Sequence, residues 1–231
     1  VDIVAVSEWG QPDIKDIERL TKAGWTVVEK TRHERSCQKT RAPGDHRGGT
    51  ALLFRTSKYD VAEVKMQDQH DGLQIAIATA RLKTRPSSQI EGFAACYASP
   101  SDTDAGEPPL NTMIANAVLL MLAQAATPCA IMGDFNARHP TWDEGIDKSD
   151  SRNWGRGDRL AVTFLNVGLH VAARPTFPRQ SGIVTAIDLI ASTLPIPDAN
   201  TFVVKMDPAI TEFCFPLAKR TKVVDWWNHI G

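Results

Sequence analysis

Apolar residues along this chain fall into short runs that stop at polar or turn-forming residues, with a few longer stretches of helical period between them. The first run, residues 2–6, reads as a buried strand, and it ends at Ser7-Glu8-Trp9-Gly10, so it delivers a carboxylate at its tip. In residues 13–23, Ile14, Ile17 and Leu20 recur at helical spacing and Gly24 supplies a stop, which predicts a surface helix with a packing role. Residues 25–29 and 50–54 predict strands on either side of a polar loop, residues 31–47, rich in Arg and Lys and closed by Gly48-Gly49. Three evenly spaced β-like runs follow at 61–66, 73–80 and 90–97, a spacing that predicts antiparallel sheet. Residues 110–125 are dense in Ala and Leu with little β-branched clustering and predict a buried helix covering that sheet.

After it comes the apolar run 129–132, which breaks at Gly133 and releases Asp134 and Asn136. Residues 134–157 form a long polar stretch carrying His139, Trp142, Arg152, Trp154 and Arg156, and loops of such length are usually functional. A helix is predicted over 158–167, stopped by Gly168, and strands over 171–177, 186–192, 202–206 and 212–217.

The candidate chemistry lies at the ends of these runs. If strand geometry persists past Gly133, Asp134 and Asn136 face the same way, with Phe135 opposite. A carboxylate beside a carboxamide gives a hard oxygen ligand and a neutral donor, a pairing suited to Mg²⁺-assisted phosphoester chemistry. The alternative is a strand that ends in an Asx turn, each side chain satisfying local backbone. Asp188 sits inside the apolar run Ile187-Asp188-Leu189-Ile190 and Asp207 follows the run from Phe202. An acid within a strand core is costly unless paired or bound to metal. Tyr97 stands where a strand meets the loop Ala98-Ser99-Pro100, placed to reach a phosphate or to cap a sheet edge.

Composition narrows the class. An apolar share of 42% in 231 residues is ordinary for a globular core, and one domain is expected over residues 1–218, with 219–231 as an extension or the start of a linker. A formal net charge of -1 gives no general attraction to nucleic acid, so such binding needs local basic patches. Cys37, Cys96, Cys129 and Cys214 lack metal-type spacing and read as reduced thiols of an intracellular protein, with no zinc site. No signal-peptide pattern, membrane-length apolar run, internal repeat, nucleotide-binding Gly loop or serine-nucleophile elbow is present in these residues. The expectation is a soluble protein with no membrane partner.

Seven places, taken in order, resemble the endonuclease/exonuclease/phosphatase superfamily, and within it the apurinic-type endonuclease domain of non-LTR (LINE-type) retrotransposons. They are Ser7-Glu8, Arg47-Gly48-Gly49, Tyr97-Ala98-Ser99-Pro100, Gly133-Asp134-Phe135-Asn136-Ala137 with His139 and Trp142, Arg156-Gly157, Pro175-Thr176-Phe177, and Ile187-Asp188-Leu189. The fold this resemblance implies is a four-layered α/β sandwich, DNase I-like, of two mainly antiparallel sheets flanked by helices. It also implies that Glu8, with Asp188 or Asp207, holds Mg²⁺ or Mn²⁺ at a scissile phosphate, that Tyr97 and Asn136 contact phosphate oxygens, and that Asp134 orients or deprotonates the attacking water. DNA contact is expected from Arg138, His139, Arg152 and Arg156 and from the basic loop 30–47. The implied activity is a nick in double-stranded target DNA, leaving a 3′-hydroxyl for an attached reverse transcriptase domain, with nuclear action.

Two departures from the family pattern stand in the sequence. Family members close on Ser-Asp-His, where this chain reads Met206-Asp207-Pro208, and proline can neither transfer a proton nor donate a backbone hydrogen bond. The family also opens with a further strand and helix bearing an active-site Asn, which the residues before Glu8 do not supply. A catalytically degenerate DNA- or partner-binding domain, or a phosphoesterase acting on abasic DNA or another phosphoester, therefore stands as the alternative.

Overall fold

Alternation along the strands sorts the apolar side chains onto three interfaces, and these define four layers. The computed structural model describes residues 2–7, 9, 12, 14–30, 49–66, 73–84, 89–99, 109–143, 154–173, 177–178, 184–185, 188–194 and 223–225. β1 (Ile3–Ser7), α1 (Ile14–Lys22), β2 (Trp25–Lys30) and β3 (Thr50–Arg55) open the chain. β4 (Tyr59–Glu63), β5 (Leu73–Leu82), β6 (Ile90–Ala98), α2 (Leu110–Ala123) and β7 (Ala126–Asp134) follow, then α3 (Trp154–Asn166) and β8 (His170–Ala173). The short strands β9 (Phe177–Pro178) and β10 (Val184–Thr185) pair with each other, and β11 (Asp188–Ser192) and β12 (Val223–Asp225) complete the order.

The first sheet runs β12-β1-β3-β2, wholly antiparallel; the second runs β4-β5-β6-β7-β11-β8. In the second, β6 and β7 are parallel and every other pair is antiparallel. A parallel pair needs a long crossover, which α2 provides. On β1, Val4 and Val6 pack with Leu20 of α1, while Ile3 and Ala5 face the second sheet. There they meet Phe54, Phe93, Met132 and Ile190, with the Phe54 and Phe93 rings edge to face at 5.7 Å. On the far side of the second sheet, Ile75, Ile77 and Ile131 lie under Met113 and Ile114 of α2 and Leu160 and Phe164 of α3. Each large side chain taken out of water there contributes roughly 1.5–3 kcal/mol.

This is the four-layered DNase I-like α/β sandwich that the sequence implied. Several boundaries differ; β4, expected over 61–66, spans Tyr59–Glu63, and β7 extends the run 129–132 to Ala126–Asp134. α3 begins at Trp154 rather than at 158, so the polar stretch after Asp134 is shorter than expected; Gly155 and Gly157 weaken the helical signature of its first turn. Of the strand expected over 171–177, β8 covers His170–Ala173, and residues 174–176 lie outside the described residues. β12 lies within the segment expected to be an extension, and it pairs with β1 through Val4↔Asp225, Ala5↔Val224 and Val6↔Val223. This pairing covers one edge of the first sheet. The strands expected at 202–206 and 212–217 lie outside the described residues. No described helix is long and apolar enough to cross a membrane.

Candidate active site

Strand parity gathers the acids. Ala130 and Met132 of β7 point into the space between the sheets, so Asp134, two residues on, continues that face at the strand's carboxyl end. Phe93 and Ala95 set the same parity for Tyr97 on β6. Ladder registers then align Gln74↔Tyr97, Tyr97↔Asp134 and Asp134↔Asp188 in one row across β5, β6, β7 and β11. Tyr97, Asp134 and Asp188, far apart in sequence, are thereby neighbours.

Ser7, at the end of β1, ties the opposing sheet to this row. Its hydroxyl donates to Cys96 O at 3.2 Å and accepts from the Asp134 amide at 3.0 Å. Gln74 holds the neighbouring loop, its Oε1 accepting from Gly49 N at 3.0 Å, while Gly49 O accepts from Trp9 N at 3.2 Å. Trp9 Nε1 in turn donates to Glu29. Gly133 makes the close approach possible, because a Cβ there would lie 1.9 Å from Cys96 O. Glu8, between Ser7 and Trp9 in the chain, lies outside the described residues, as do Arg152 and Asp207.

Strand geometry does not persist beyond Asp134. Asn136 adopts a left-handed backbone, φ 43°, a conformation Asn tolerates better than most residues, and its amide donates to Asp134 Oδ1 at 2.9 Å. The Asx-turn alternative is thus the observed one, and the same-face expectation for Asp134 and Asn136 is corrected. The turn orients the Asp134 carboxylate. Asn136 Nδ2 donates to Ala98 O at 2.8 Å, which ties the end of β7 to the end of β6. Asn136 thus stands at the adjoining ends of β6 and β7.

Arg138 and Arg156, expected at the phosphate, are instead built into the scaffold. Arg138 is 4% exposed and its Nε donates to Asp143 at 2.9 Å, a buried ion pair. Arg156 is 7% exposed and its Nη1 reaches Ser99 O, Phe135 O and Asn136 O at 3.2, 3.5 and 3.4 Å. Buried guanidinium groups need such partners, and carbonyls at strand ends supply them. His139 sits between Trp142 and Trp154, ring centroids 5.1 and 6.3 Å away. Its Nδ1 accepts from Thr141 N and its Nε2 lies 3.5 Å from Asp158, an arrangement that assigns the proton to Nε2. It lines a cavity of about 500 Å³ with Trp142, Asp158, Val162, Leu165 and Val171.

Electrostatics agree with the geometry. Burial pushes the Cys96 thiol far above its usual range, the Asp134 charge raises it further, and the Arg156 guanidinium opposes. Buried and held protonated, Cys96 is inert. Asp188 stands directly opposite Asp134 in the antiparallel ladder, which sets two acids at neighbouring backbone positions. Among the described residues no three metal-ligating side chains come together. Ser7, Gln74 and the scaffold role of Arg156 escaped the sequence reading. The signals available were a polar Gln inside the run 73–80 and a Gly directly after Arg156.

Two packed sheets between helical layers, with an acid row at the strand ends, define an endonuclease/exonuclease/phosphatase-type protein. The chain belongs to the endonuclease-reverse transcriptase family, whose model matches residues 92–207. Its fold is similar to the endonuclease domain of TRAS1, a telomere-specific non-LTR retrotransposon, with 17% identity, TM-score 0.54, and 90% of this chain and 88% of that one covered. It is also similar to the human Nocturnin catalytic domain, with 16% identity, TM-score 0.55, and coverage of 97% and 79%. No curated protein matches the sequence.

Proposed function

We propose that this chain is a Mg²⁺- or Mn²⁺-dependent DNA endonuclease domain that nicks double-stranded DNA and leaves a 3′-hydroxyl, from which a reverse transcriptase domain of the same polyprotein primes synthesis in the nucleus. The observation that carries this reading is the register that sets Asp188 opposite Asp134 and Tyr97 beside it. Family membership and the retrotransposon endonuclease likeness support it.

In this reading Asp134 is the group that orients or deprotonates water, its carboxylate aimed by the Asn136 amide. Tyr97 and Asn136 contact phosphate oxygens, and His139 contacts the DNA. Glu8, Asp188 and Asp207 are the residues that would hold the cation, which supplies Lewis-acid stabilisation of charge on the phosphate. Buried as they are, Arg138 and Arg156 shape the loop, and phosphate contact falls to the basic loop 30–47 and Arg152.

Pro208 stands where the resemblance places a histidine, and the loss of a general acid or base removes roughly 10²- to 10⁴-fold in rate. The unaltered chain is therefore expected to nick supercoiled plasmid weakly and only with added Mg²⁺ or Mn²⁺, with an abasic duplex run beside it to test the alternative substrate. Pro208→His should raise the rate, and Asp134→Ala should abolish it in both backgrounds. Nicking that is strong in the unaltered chain and indifferent to Asp134→Ala would assign the chemistry to other residues. DNA binding without turnover, even in Pro208→His, would favour the degenerate binding domain.

A further inference from the structure

We propose that Arg156 is a positioning residue for the nuclease reading above, holding the loops that leave β6 and β7 at a fixed separation so that the Tyr97 side and the Asp134–Asn136 side of the site face one phosphate. Arg156 lies in the first turn of α3, where the helix dipole disfavours a cation, and it is nearly fully buried. Such a placement is costly, and its compensation is specific. One guanidinium nitrogen reaches Ser99 O beyond β6 and both Phe135 O and Asn136 O beyond β7. These are the residues just past Tyr97 and Asp134 in their strands.

The grip depends on how close α3 comes. Gly157 lets the helix start press on the loop, since a Cβ there would stand 1.8 Å from Arg138 O. The loop is pinned again by the buried Arg138–Asp143 pair and by Trp142 Nε1 donating to Ala137 O at 3.3 Å. Asn136 holds a left-handed backbone with its amide on Asp134 and its side chain on Ala98 O, so any drift of its carbonyl turns both contacts. All three contacts come from Nη1, which stands one bond farther from the backbone than a lysine ammonium would, so lysine at this position cannot meet the same three carbonyls without a shift of helix or loop.

Arg156→Lys and Arg156→Met in the full chain, assayed by Mg²⁺-dependent plasmid nicking, test this directly. A displacement of about 1 Å at a reacting group costs on the order of 10²-fold, so kcat should fall by about that factor in both variants while KM stays within roughly twofold. Wild-type kcat in Arg156→Lys overturns the proposal, as does a raised KM at unchanged kcat, which would make Arg156 a phosphate contact. Unfolding of Arg156→Lys would make it a core residue and also overturns it. A second readout separates this idea from the nuclease reading. Backbone amide resonances of Ser99, Phe135 and Asn136 should shift in Arg156→Lys while those of Val4 and Leu53 stay put. If the wild-type chain does not nick, those resonances decide alone: local shifts sustain the positioning role, and unchanged ones sink it.

Discussion

At the scale of single residues, Glu91 is an acid whose burial has a consequence away from the site. Glu91, near the start of β6, has its carboxyl pushed up from 4.5 to about 7 by burial. Its folded form therefore holds a proton more tightly than the unfolded chain, so its contribution to stability is complete below about pH 4.5 and is lost as pH rises through about 7. Discounted for partial exposure, the loss is about 1–2 kcal/mol. Glu91→Gln should leave the melting temperature near pH 4 unchanged and raise it at pH 8 by about 3–5 °C. Equal melting curves at pH 8 would refute the buried-acid account. Nothing in the sequence marks Glu91, because an acid in a strand becomes informative only when its neighbours across the ladder are known. Asp188 was legible for the opposite reason: its flanking residues, Ile187, Leu189 and Ile190, already said that an acid there is out of place. Asn136 was legible in position but not in conformation, since one left-handed residue ends a strand without altering the apolar pattern before it.

Among elements, the strands of the second sheet and α2 follow from periodicity in kind and order, while the start of α3 and the bounds of β4 were misplaced. Its first turn contains two glycines with different reasons for being there. At Gly155 an added Cβ would meet only Arg159 Nη1 at 3.6 Å, an ordinary contact, so Gly155→Ala should stabilise by roughly 0.5–1 kcal/mol through backbone entropy. At Gly157 the Cβ would collide with the backbone at Arg138, and α3 or the loop must move. Gly157→Ala should cost about 2–4 kcal/mol in urea unfolding, of the order seen for overpacking and its attendant shifts. Similar midpoints for the two variants would show that α3 does not press on the loop. The distinction could not be read from sequence: periodicity records what a helix buries, and a close backbone approach leaves no side chain to count.

For the molecule as a whole, packing one sheet on the other brings the ends of β1, β6, β7 and β11 to one end of the sandwich, and this convergence has an electrostatic cost. The acid row was legible as separate candidates; its contiguity was not, because register depends on how strands from distant parts of the chain pair. Asp134 and Asp188 are direct ladder partners, and like charges at directly opposed ladder positions are destabilising, so removing one of them is expected to stabilise the chain when no cation is present. A divalent cation bound only by the folded chain should stabilise it by RT ln(1 + [L]/Kd), about 2.7 kcal/mol at one hundred times Kd. With roughly 2–4 °C per kcal/mol for a chain of this size, Mg²⁺ or Mn²⁺ should raise the melting temperature by about 5–10 °C. Asp134→Asn keeps an oxygen to accept the Asn136 amide but removes a charge. It should therefore melt higher than the unaltered chain in EDTA and gain little from metal. Added NaCl should narrow the EDTA difference by screening the repulsion. An unaltered chain that ignores both metals, paired with an Asp134→Asn variant that melts lower in EDTA, would mean that the row is held by hydrogen bonds rather than strained by charge, and the cation site would have to be abandoned.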